Sequence, residues 1–279
     1  MLAKDTAYKY SKVQNCKLEL GKVKSKWNDM LGKIQVKTPY ESLNIMLNVW
    51  IMYQTITSRL LGRSGFYQSG GAFGFRDQLQ DAFATKYIDT QILSNQIIKH
   101  SKHQFIEGDV EHWWHEETGR GIRTRFSDDL LWLPYVTADY IEFTNDYSIL
   151  DIETNYLSGN SLEDGVDEKY DLYLPSDEKG SIFEHCIKAI EKSLDFGEHG
   201  LPKIGSGDWN DGFSTVGNKG KGESVWLGFF LYGIIDDFVK LMNKYDKDFK
   251  VDEYIKFNEK LNDNLNKKAW DGEYYLRAY

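Results

Sequence analysis

The segment "GSGDWNDGF", residues 205–213, places two carboxylates, an indole and an amide between glycines. A carboxyl group beside Trp209 is partly removed from water, so its pKa can rise until it donates a proton near neutral pH. Asp208, Asn210 and Asp211 could equally satisfy the hydrogen bonds of a turn, as Asx residues between glycines often do. The segment therefore allows both general acid chemistry and simple turn formation.

Two further segments combine arginine with aspartate next to helical patterns. In "GFRDQLQD", Arg76 and Asp77 precede a helix and Asp81 follows one turn later. The segment "RTRFSDD" repeats the theme with Arg123, Arg125, Asp128 and Asp129. Guanidinium and carboxylate groups have the planar geometry to grip the ring hydroxyls of a sugar. An ion-pair network would use the same residues.

Other patterns are weaker candidates for chemistry. His112 and His115 lie in "HWWHEE", which lacks the H-E-x-x-H spacing of a zinc site; we expect no metal there and expect the two tryptophans to wall a pocket. The stretch "GNKGKGES" lacks the G-K-[ST] ending of a phosphate loop, which argues against a nucleotide site. Cys16 and Cys186 are too far apart for a paired metal knuckle, and Cys186, on a helix beside His185, is expected to be a buried structural thiol.

Composition narrows the class of protein. The 279 residues carry a net charge of −9 and gather no stripe of Lys and Arg, so we expect no nucleic-acid partner. No run approaches the roughly 20 apolar residues of a membrane span, and the first residues lack the apolar segment of a signal peptide. We therefore expect a soluble, cytoplasmic protein. Eight Trp and eighteen Tyr suit sugar rings, but a large core uses aromatic residues too.

Helical periodicity runs through most of the chain. Residues 42–61 are apolar almost all round, which predicts a buried helix. Ser127 is the expected N-cap of a helix over 127–146, and Ser181 with Glu184 has the spacing of a capping box. Helical patterns also cover segments near the start, after the Arg76 motif and at the end: residues 8–32, 78–105, 222–245 and 251–270.

Strand signals are nearly absent, with brief alternation only at residues 34–36. The sequence therefore predicts an all-α chain. Residues 62–77, 107–126 and 149–180 are expected to be loops or irregular inserts. A ring of helical hairpins would bring the loops that bear the candidate residues together at one end, where a rigid scaffold could hold them.

Three long segments resemble glycoside hydrolase family 94, the inverting glycoside phosphorylases. They are "NVWIMYQTITSRLLGRSGFYQSGGAFGFRDQLQD", "EGDVEHWWHEETGRGIRTRFSDDLLWLP" and "HGLPKIGSGDWNDGFSTVGNKGKGESVWLGFFLY". The resemblance runs from about Trp27 to the end of the chain. The form of the central motif is closest to the branch of the family that acts on β-1,2-glucan.

The resemblance implies an (α/α)6 barrel and a role for each motif. Asp211 would be the catalytic acid, Trp209 would line the sugar-binding cleft, and Asp208 with Asn210 would position the loop. Arg63, Arg76 and Asp81 would hold the sugar in subsite −1. Asp77, Arg123, Arg125, Asp128 and Asp129 are further candidates for substrate binding.

The implied reaction needs only one protein carboxyl. Asp211 would protonate the glycosidic oxygen while inorganic phosphate, the co-substrate, attacks C1 of a β-linked sugar and releases the α-sugar 1-phosphate. No other cofactor is expected, and family members are often homodimers. A hydrolase with an (α/α) barrel and a non-catalytic carbohydrate-binding module remain alternatives.

The resemblance also predicts the domain organisation. Residues 1–38 would be a helical lead-in, and residues 39–279 would form the N-terminal part of the barrel. Only about half of the barrel's twelve helices can be counted, so we expect a fragment with roughly half of the toroid. Later segments, which carry the phosphate-binding elements of the family, would be needed for catalysis.

Overall fold

The structure is a computed structural model that describes residues 2–62, 71–246 and 248–279. The chain divides into two compact units. One comprises residues up to 62 together with 87–89, and the other comprises residues 63–86 and 90–279. Helices account for 56% of the structure and strands for 17%.

The first unit is helical. Its α-helices are α1 (Leu2–Tyr10), α2 (Val13–Leu31), α3 (Glu41–Ile45) and α4 (Ile51–Gln54). Two π-helical stretches, Met46–Trp50 and Thr55–Leu61, join α3 and α4 into one continuous helical run.

This run confirms the helix predicted over 42–61, but its predicted burial is wrong. Ile56 and Leu60 are buried, whereas most of its large apolar side chains are exposed. The exposed ones include Ile45, Met46, Leu47, Val49, Trp50 and Ile51. Within its own unit the run has too few neighbours to cover a surface that is apolar on all sides.

The second unit contains the remaining helices. They are α5 (Phe75–Phe83), α6 (Thr90–Ser101), α7 (Trp132–Thr144), α8 (Ile182–Lys192), α9 (Ser214–Gly217), α10 (Val225–Tyr245) and α11 (Asp252–Lys268). Helix α7 lies at the centre and packs against α5, α6, α8 and α10. Its Leu133 and Val136 are completely buried, because a helix surrounded by helices must be apolar on several sides.

Helix starts differ in how well their caps are predicted. The capping box at α8 is confirmed: the Ser181 hydroxyl accepts from the Glu184 backbone N–H, and the Glu184 carboxylate accepts from the Ser181 N–H at 2.7 Å. The predicted N-cap of α7 is wrong. That helix begins at Trp132, and Ser127 instead donates its hydroxyl to the backbone carbonyls of Ile204 and Gly207.

Two small antiparallel sheets make the prediction of an all-α chain too narrow. The strands are β1 (Phe73–Gly74), β2 (Glu111–His115), β3 (Arg120–Thr124), β4 (Glu153–Ser158), β5 (Glu168–Leu172) and β6 (Leu174–Ser181). One sheet has the order β1-β2-β3-β5, and β4 pairs with β6 in the other. A bulge between Glu111 and Trp113 breaks the alternation of β2, and polar residues such as Glu111 occupy buried positions. Pattern analysis did not predict the strand, because it relies on regular alternation of apolar and polar residues.

The fold described here does not test two of the predictions, namely the (α/α)6 barrel and the domain boundary between residues 38 and 39, and these stay predictions. Cys186 is completely buried, as expected, and burial raises the pKa of its thiol to about 12. Among the described residues, no helix is both long and apolar enough to cross a membrane.

Candidate active site

The loop 205–213 lies against the segment that follows β3. The Ser127 N–H donates to the carbonyl of Gly207 at 2.9 Å. Gly205 has φ +61°, and a Cβ atom there would lie 1.9 Å from the carbonyl oxygen of Arg125. Only glycine tolerates both this conformation and this close approach. The glycines of the loop therefore hold it against the rest of the second unit.

The guanidinium group of Arg76, in the first turn of α5, is the centre of the site. It is buried, and its Nη1 donates to both carboxylate oxygens of Asp128 at 3.1 Å and to the carbonyl of Asp208 at 3.3 Å. Its Nη2 donates to Oδ1 of Asp211 at 2.7 Å. Arg76 therefore joins the candidate acid to the buried acids that precede α7.

Charge around Arg76 is unevenly balanced. Burial alone would lower the pKa of Arg76, but Asp128, Asp129 and Asp211 outweigh it and raise that pKa. Burial, followed by the neighbouring Asp129 carboxylate, raises the pKa of Asp128 well above its ordinary value, although Arg76 and the Trp132 indole N–H oppose this. A buried carboxyl with such a shift is typical of a functional site.

The two acids of the opening loop have different environments. Asp208 is completely buried, whereas the side chain of Asp211 is 56% exposed. Trp209, between them, is 52% exposed. Asn210 accepts a hydrogen bond from the Gly212 N–H at 3.0 Å, so it stabilises the turn that carries Asp211. The loop presents one carboxyl and one indole to solvent and keeps the other carboxyl inside.

His112 on β2 also belongs to this cluster, which the sequence analysis missed. Its Nδ1 lies 2.7 Å from Oδ2 of Asp129, and its ring stacks on Phe126 at 4.5 Å. Burial lowers the pKa of His112, but the carboxylates of Asp129 and Asp211 outweigh it and raise that pKa. The "HWWHEE" pattern was weighed only as a metal motif. Recognising His112 would have required the pairing of β2 with β3.

The tryptophans next to His112 are not equivalent. Trp114 is 1% exposed and stacks on His103 at 3.7 Å, so the expectation that it walls a pocket is wrong. Trp113 is half-buried and contacts Tyr170 of β5 with ring centres 5.5 Å apart. In the described part of the chain, no group of three His, Cys, Asp or Glu side chains could hold a metal ion.

Arg123 and Arg125 bind protein groups away from Arg76. Arg123 donates to both oxygens of Asp109, at 2.6 and 2.7 Å, and to Glu107 at 3.1 Å. The exposed Arg125 donates to the carbonyls of Leu162, Glu163 and Val166. Arg123 also donates to the carbonyls of Gly159 and Asn160, so both arginines hold the 159–166 segment in place.

A cavity of about 570 Å³ lies beside these arginines. Charged groups of both signs line it, including Arg125, Lys203, Lys219, Asp164 and Asp167. Among the described residues that line this cavity, neither Asp211 nor Arg76 occurs. The cavity and the Arg76 cluster are therefore separate features.

The remaining predicted residues occupy α5 or fall outside the description. Asp77 is exposed, and its carboxylate lies against Gly74, where an added Cβ would be 2.4 Å from Oδ2. Asp81 is half-buried one turn further along α5. Arg63 lies outside the described residues.

Comparison with known proteins points to one family. Residues 26–279 match the family described as the glycosyl hydrolase 94 superfamily, catalytic domain. The chain is 40% identical over 259 residues to the cyclic beta-(1,2)-glucan synthase NdvB of Rhizobium meliloti (strain 1021), a match that covers 92% of this chain and 9% of that protein.

Two phosphorylases are also similar. Solabiose phosphorylase of Paenibacillus borealis is 29% identical over 252 residues, which cover 90% of this chain and 29% of that enzyme. N,N'-diacetylchitobiose phosphorylase of Vibrio proteolyticus is 25% identical over 300 residues, which cover 96% of this chain and 35% of that enzyme. This chain thus spans only 9% to 35% of the length of these three relatives.

Proposed function

The chain belongs to the glycosyl hydrolase 94 superfamily through its catalytic domain, and on that premise we propose that it carries the acid-bearing part of an inverting glycoside phosphorylase. The substrate is a β-linked glucoside, with inorganic phosphate as the co-substrate. Asp211 donates a proton to the glycosidic oxygen as the bond to C1 breaks, and phosphate attacks C1 from the opposite face. The products are an α-sugar 1-phosphate and a shortened acceptor.

The placement of Asp211 carries this proposal. Its carboxyl group is the exposed one in the central loop, it is two residues from the exposed Trp209, and the buried guanidinium of Arg76 holds it at 2.7 Å. A general acid must reach the substrate, and an indole face suits the apolar face of a sugar ring.

Arg76 links binding to acid chemistry in this proposal. A carboxyl that donates a proton must carry one, whereas Oδ1 of Asp211 accepts a hydrogen bond from Arg76. We propose that a hydroxyl oxygen of the bound sugar accepts this hydrogen bond instead, so that Asp211, released from the cation, takes up a proton from water and then acts as the acid. Because Asp128 continues to hold Nη1 of Arg76, the guanidinium group stays in place during the exchange.

The neighbouring acids favour phosphate over water as the nucleophile. An inverting hydrolase needs a second carboxylate that activates water on the opposite face of the sugar. Asp128 accepts hydrogen bonds from Arg76 and Trp132. Oδ2 of Asp129 lies against His112, whereas its Oδ1 has no hydrogen-bond partner among the described residues. Both carboxyl groups are buried, so neither is exposed to activate a water molecule, whereas phosphate needs no such activation.

The match to the cyclic beta-(1,2)-glucan synthase supports β-1,2-linked glucose as the first substrate to test. The whole gene product should be incubated with β-1,2-, β-1,3- and β-1,4-linked glucose disaccharides, with and without phosphate, and the products followed by ³¹P NMR. We expect α-glucose 1-phosphate to appear only with phosphate. Sugar release without phosphate would support a hydrolase, and binding without turnover would support a carbohydrate-binding module.

A further inference from the structure

Asp208 is a buried carboxylate whose oxygens are all engaged by donors. Oδ1 accepts from Nη2 of Arg277 at 2.6 Å and from the Asn210 N–H at 2.9 Å. Oδ2 accepts from Nη1 of Arg277 at 2.7 Å and from the Ser224 hydroxyl at 2.6 Å. Burial would raise the pKa of Asp208, but these donors outweigh it and lower that pKa. Asp208 is therefore held as a charged anchor inside the protein.

Arg277 reaches this anchor from the end of the chain. The backbone of the last residues pairs with the segment that leads into α10. The Glu223 N–H donates to the carbonyl of Tyr279 at 3.1 Å, the Tyr279 N–H donates to that of Glu223 at 2.9 Å, and the Val225 N–H donates to that of Arg277 at 3.2 Å. Ser224, the N-cap of α10, also hydrogen-bonds Asp208. The arginine is thus held on the same support as its partner.

The same guanidinium group also contacts the far end of the acid loop. Its central carbon lies 4.8 Å from the centre of the Phe213 ring, within the range of a cation–π contact. Asp208 and Phe213 flank Asp211 on either side. Arg277 therefore touches both ends of the segment 208–213 and leaves its middle free to face solvent.

We infer that Arg277 is a positioning residue for Asp211. By fixing both ends of the segment 208–213, it sets where the Asp211 carboxyl stands relative to Arg76 and the sugar. Arg277 acts on Asp211 indirectly, through its contacts with Asp208 and Phe213. The inference rests on the proposed role of Asp211. Position matters for such a group, because a displacement of about 1 Å in a reacting group can cost roughly 100-fold in rate.

The test compares three variants of the whole gene product with a matched control. Arg277→Met removes the contacts of Arg277 with Asp208 and Phe213, which we call the clamp. Arg277→Lys keeps the charge without the two-pronged geometry. The double variant Asp208→Asn with Arg277→Met removes the clamp without leaving a buried charge. Arg120→Met removes an exposed arginine of β3 as the control. The measurements are amide hydrogen exchange of peptides that cover 208–213 and steady-state kinetics with the best disaccharide.

We expect Arg277→Met to exchange faster within 208–213 while α7 and α10 stay protected. Its kcat should fall roughly 100-fold, with KM for the disaccharide within about threefold, because the displaced group acts in the transition state. Arg277→Lys should recover part of the rate, and Arg120→Met should match the wild type. The double variant should exchange as fast as Arg277→Met, which would show that the loss of the clamp causes the faster exchange and not the unpaired charge of a buried Asp208.

The outcomes separate this inference from the proposed function. Wild-type exchange within 208–213 in the double variant would overturn the clamp, even if Arg277→Met itself failed to fold. An unchanged kcat in a folded Arg277→Met would overturn the positioning role. If the Arg277 variants exchange faster but the wild type itself shows no phosphorolysis, the clamp stands and the proposed phosphorolysis is contradicted instead.

Discussion

Arg76 and Arg123 are both buried arginines that bind more than one carboxylate, but they have different neighbours. Arg123 donates hydrogen bonds to Asp109, to Glu107 and to the carbonyls of residues 159 and 160. Arg76 shares its donors between the buried Asp128 and the exposed Asp211. Both clusters reach an exposed carboxyl group, since the side chain of Glu107 is 41% exposed and that of Asp211 is 56% exposed, but the Arg76 cluster also contains the two buried acids Asp128 and Asp129.

The difference leads us to expect a structural role for Arg123 and a functional role for the Arg76 cluster. The hydrogen-bond partners of Arg123 named above are all protein groups, although Arg123 also lines the cavity. Around Arg76, three carboxylates share one arginine, His112 lies against Asp129, and burial together with the Asp129 charge raises the pKa of Asp128. A raised pKa at a buried carboxyl group is a common feature of functional sites.

The largest expected effect separates the two clusters by activity. Asp211→Asn should lower the rate of phosphorolysis by roughly 10²–10⁴-fold, because the amide cannot donate the acid proton. Its melting temperature should stay close to that of the wild type, because the side chain is 56% exposed. Asp263→Asn on α11, also an exposed carboxylate, is the control and should keep full activity. A fully active Asp211→Asn would remove the main distinction between the clusters.

The second effect should appear in stability. Arg123→Met should lower the free energy of unfolding by about 3 kcal/mol, because it leaves Asp109 and Glu107 without their buried partner. Urea denaturation of this variant and of Arg120→Met, an exposed arginine on the same strand, would measure the loss. Activity per folded molecule should be preserved. A loss of activity without a loss of stability would assign Arg123 to the site instead of the scaffold.

The third effect depends on pH and sharpens the role of His112. Because its pKa is raised in the folded protein, its stabilising contribution is complete below the ordinary pKa of about 6.5 and is lost as the pH rises through the raised value. We expect His112→Gln to be less stable than the wild type at pH 5.5, with the difference in the free energy of unfolding shrinking above neutral pH. Thermal melts of both proteins across pH 5–9 test this. A difference that is constant with pH would contradict the charge interaction with Asp129.

The smallest effect concerns Arg125, which neighbours Arg123 in sequence but is exposed. Its hydrogen bonds to the carbonyls of Leu162, Glu163 and Val166 are open to water, so Arg125→Ala should cost about 0.5 kcal/mol. Equilibrium unfolding would measure it. The same variant tests the sequence prediction that Arg125 binds substrate: an unchanged KM would reject that role, and a tenfold rise would support it.

Pattern analysis worked where a local signal dominated. The capping spacing of Ser181 and Glu184 and the periodicity of α10 and α11 were sufficient to place those elements, because capping and helix amphipathicity depend on residues three or four positions apart. The family resemblance was also visible in contiguous segments, and the family match over residues 26–279 confirms it.

Pattern analysis failed where distant residues decide the structure. The strands β2 and β3 carry buried Glu111 and Arg123, whose polarity makes sense only once their partners are in place. The capping role assigned to Ser127 lost to a longer-range contact with the carbonyls of Ile204 and Gly207. Propensity and spacing carry no information about such partners.

The sequence by itself determined which residues could do chemistry: Asp211 with its indole neighbour, and the arginine and aspartate motifs around Arg76 and Asp128. The residue pattern alone did not separate Asp208 from Asp211, because both stand in the same turn-forming context, and only the family resemblance assigned the acid role to Asp211. The tertiary structure supplied the physical difference, by bringing Arg277 and Ser224 onto Asp208 while Arg76 reached Asp211. A side chain's exposure and charge partners depend on chain segments that are far apart in sequence, and these are fixed when the segments pack together.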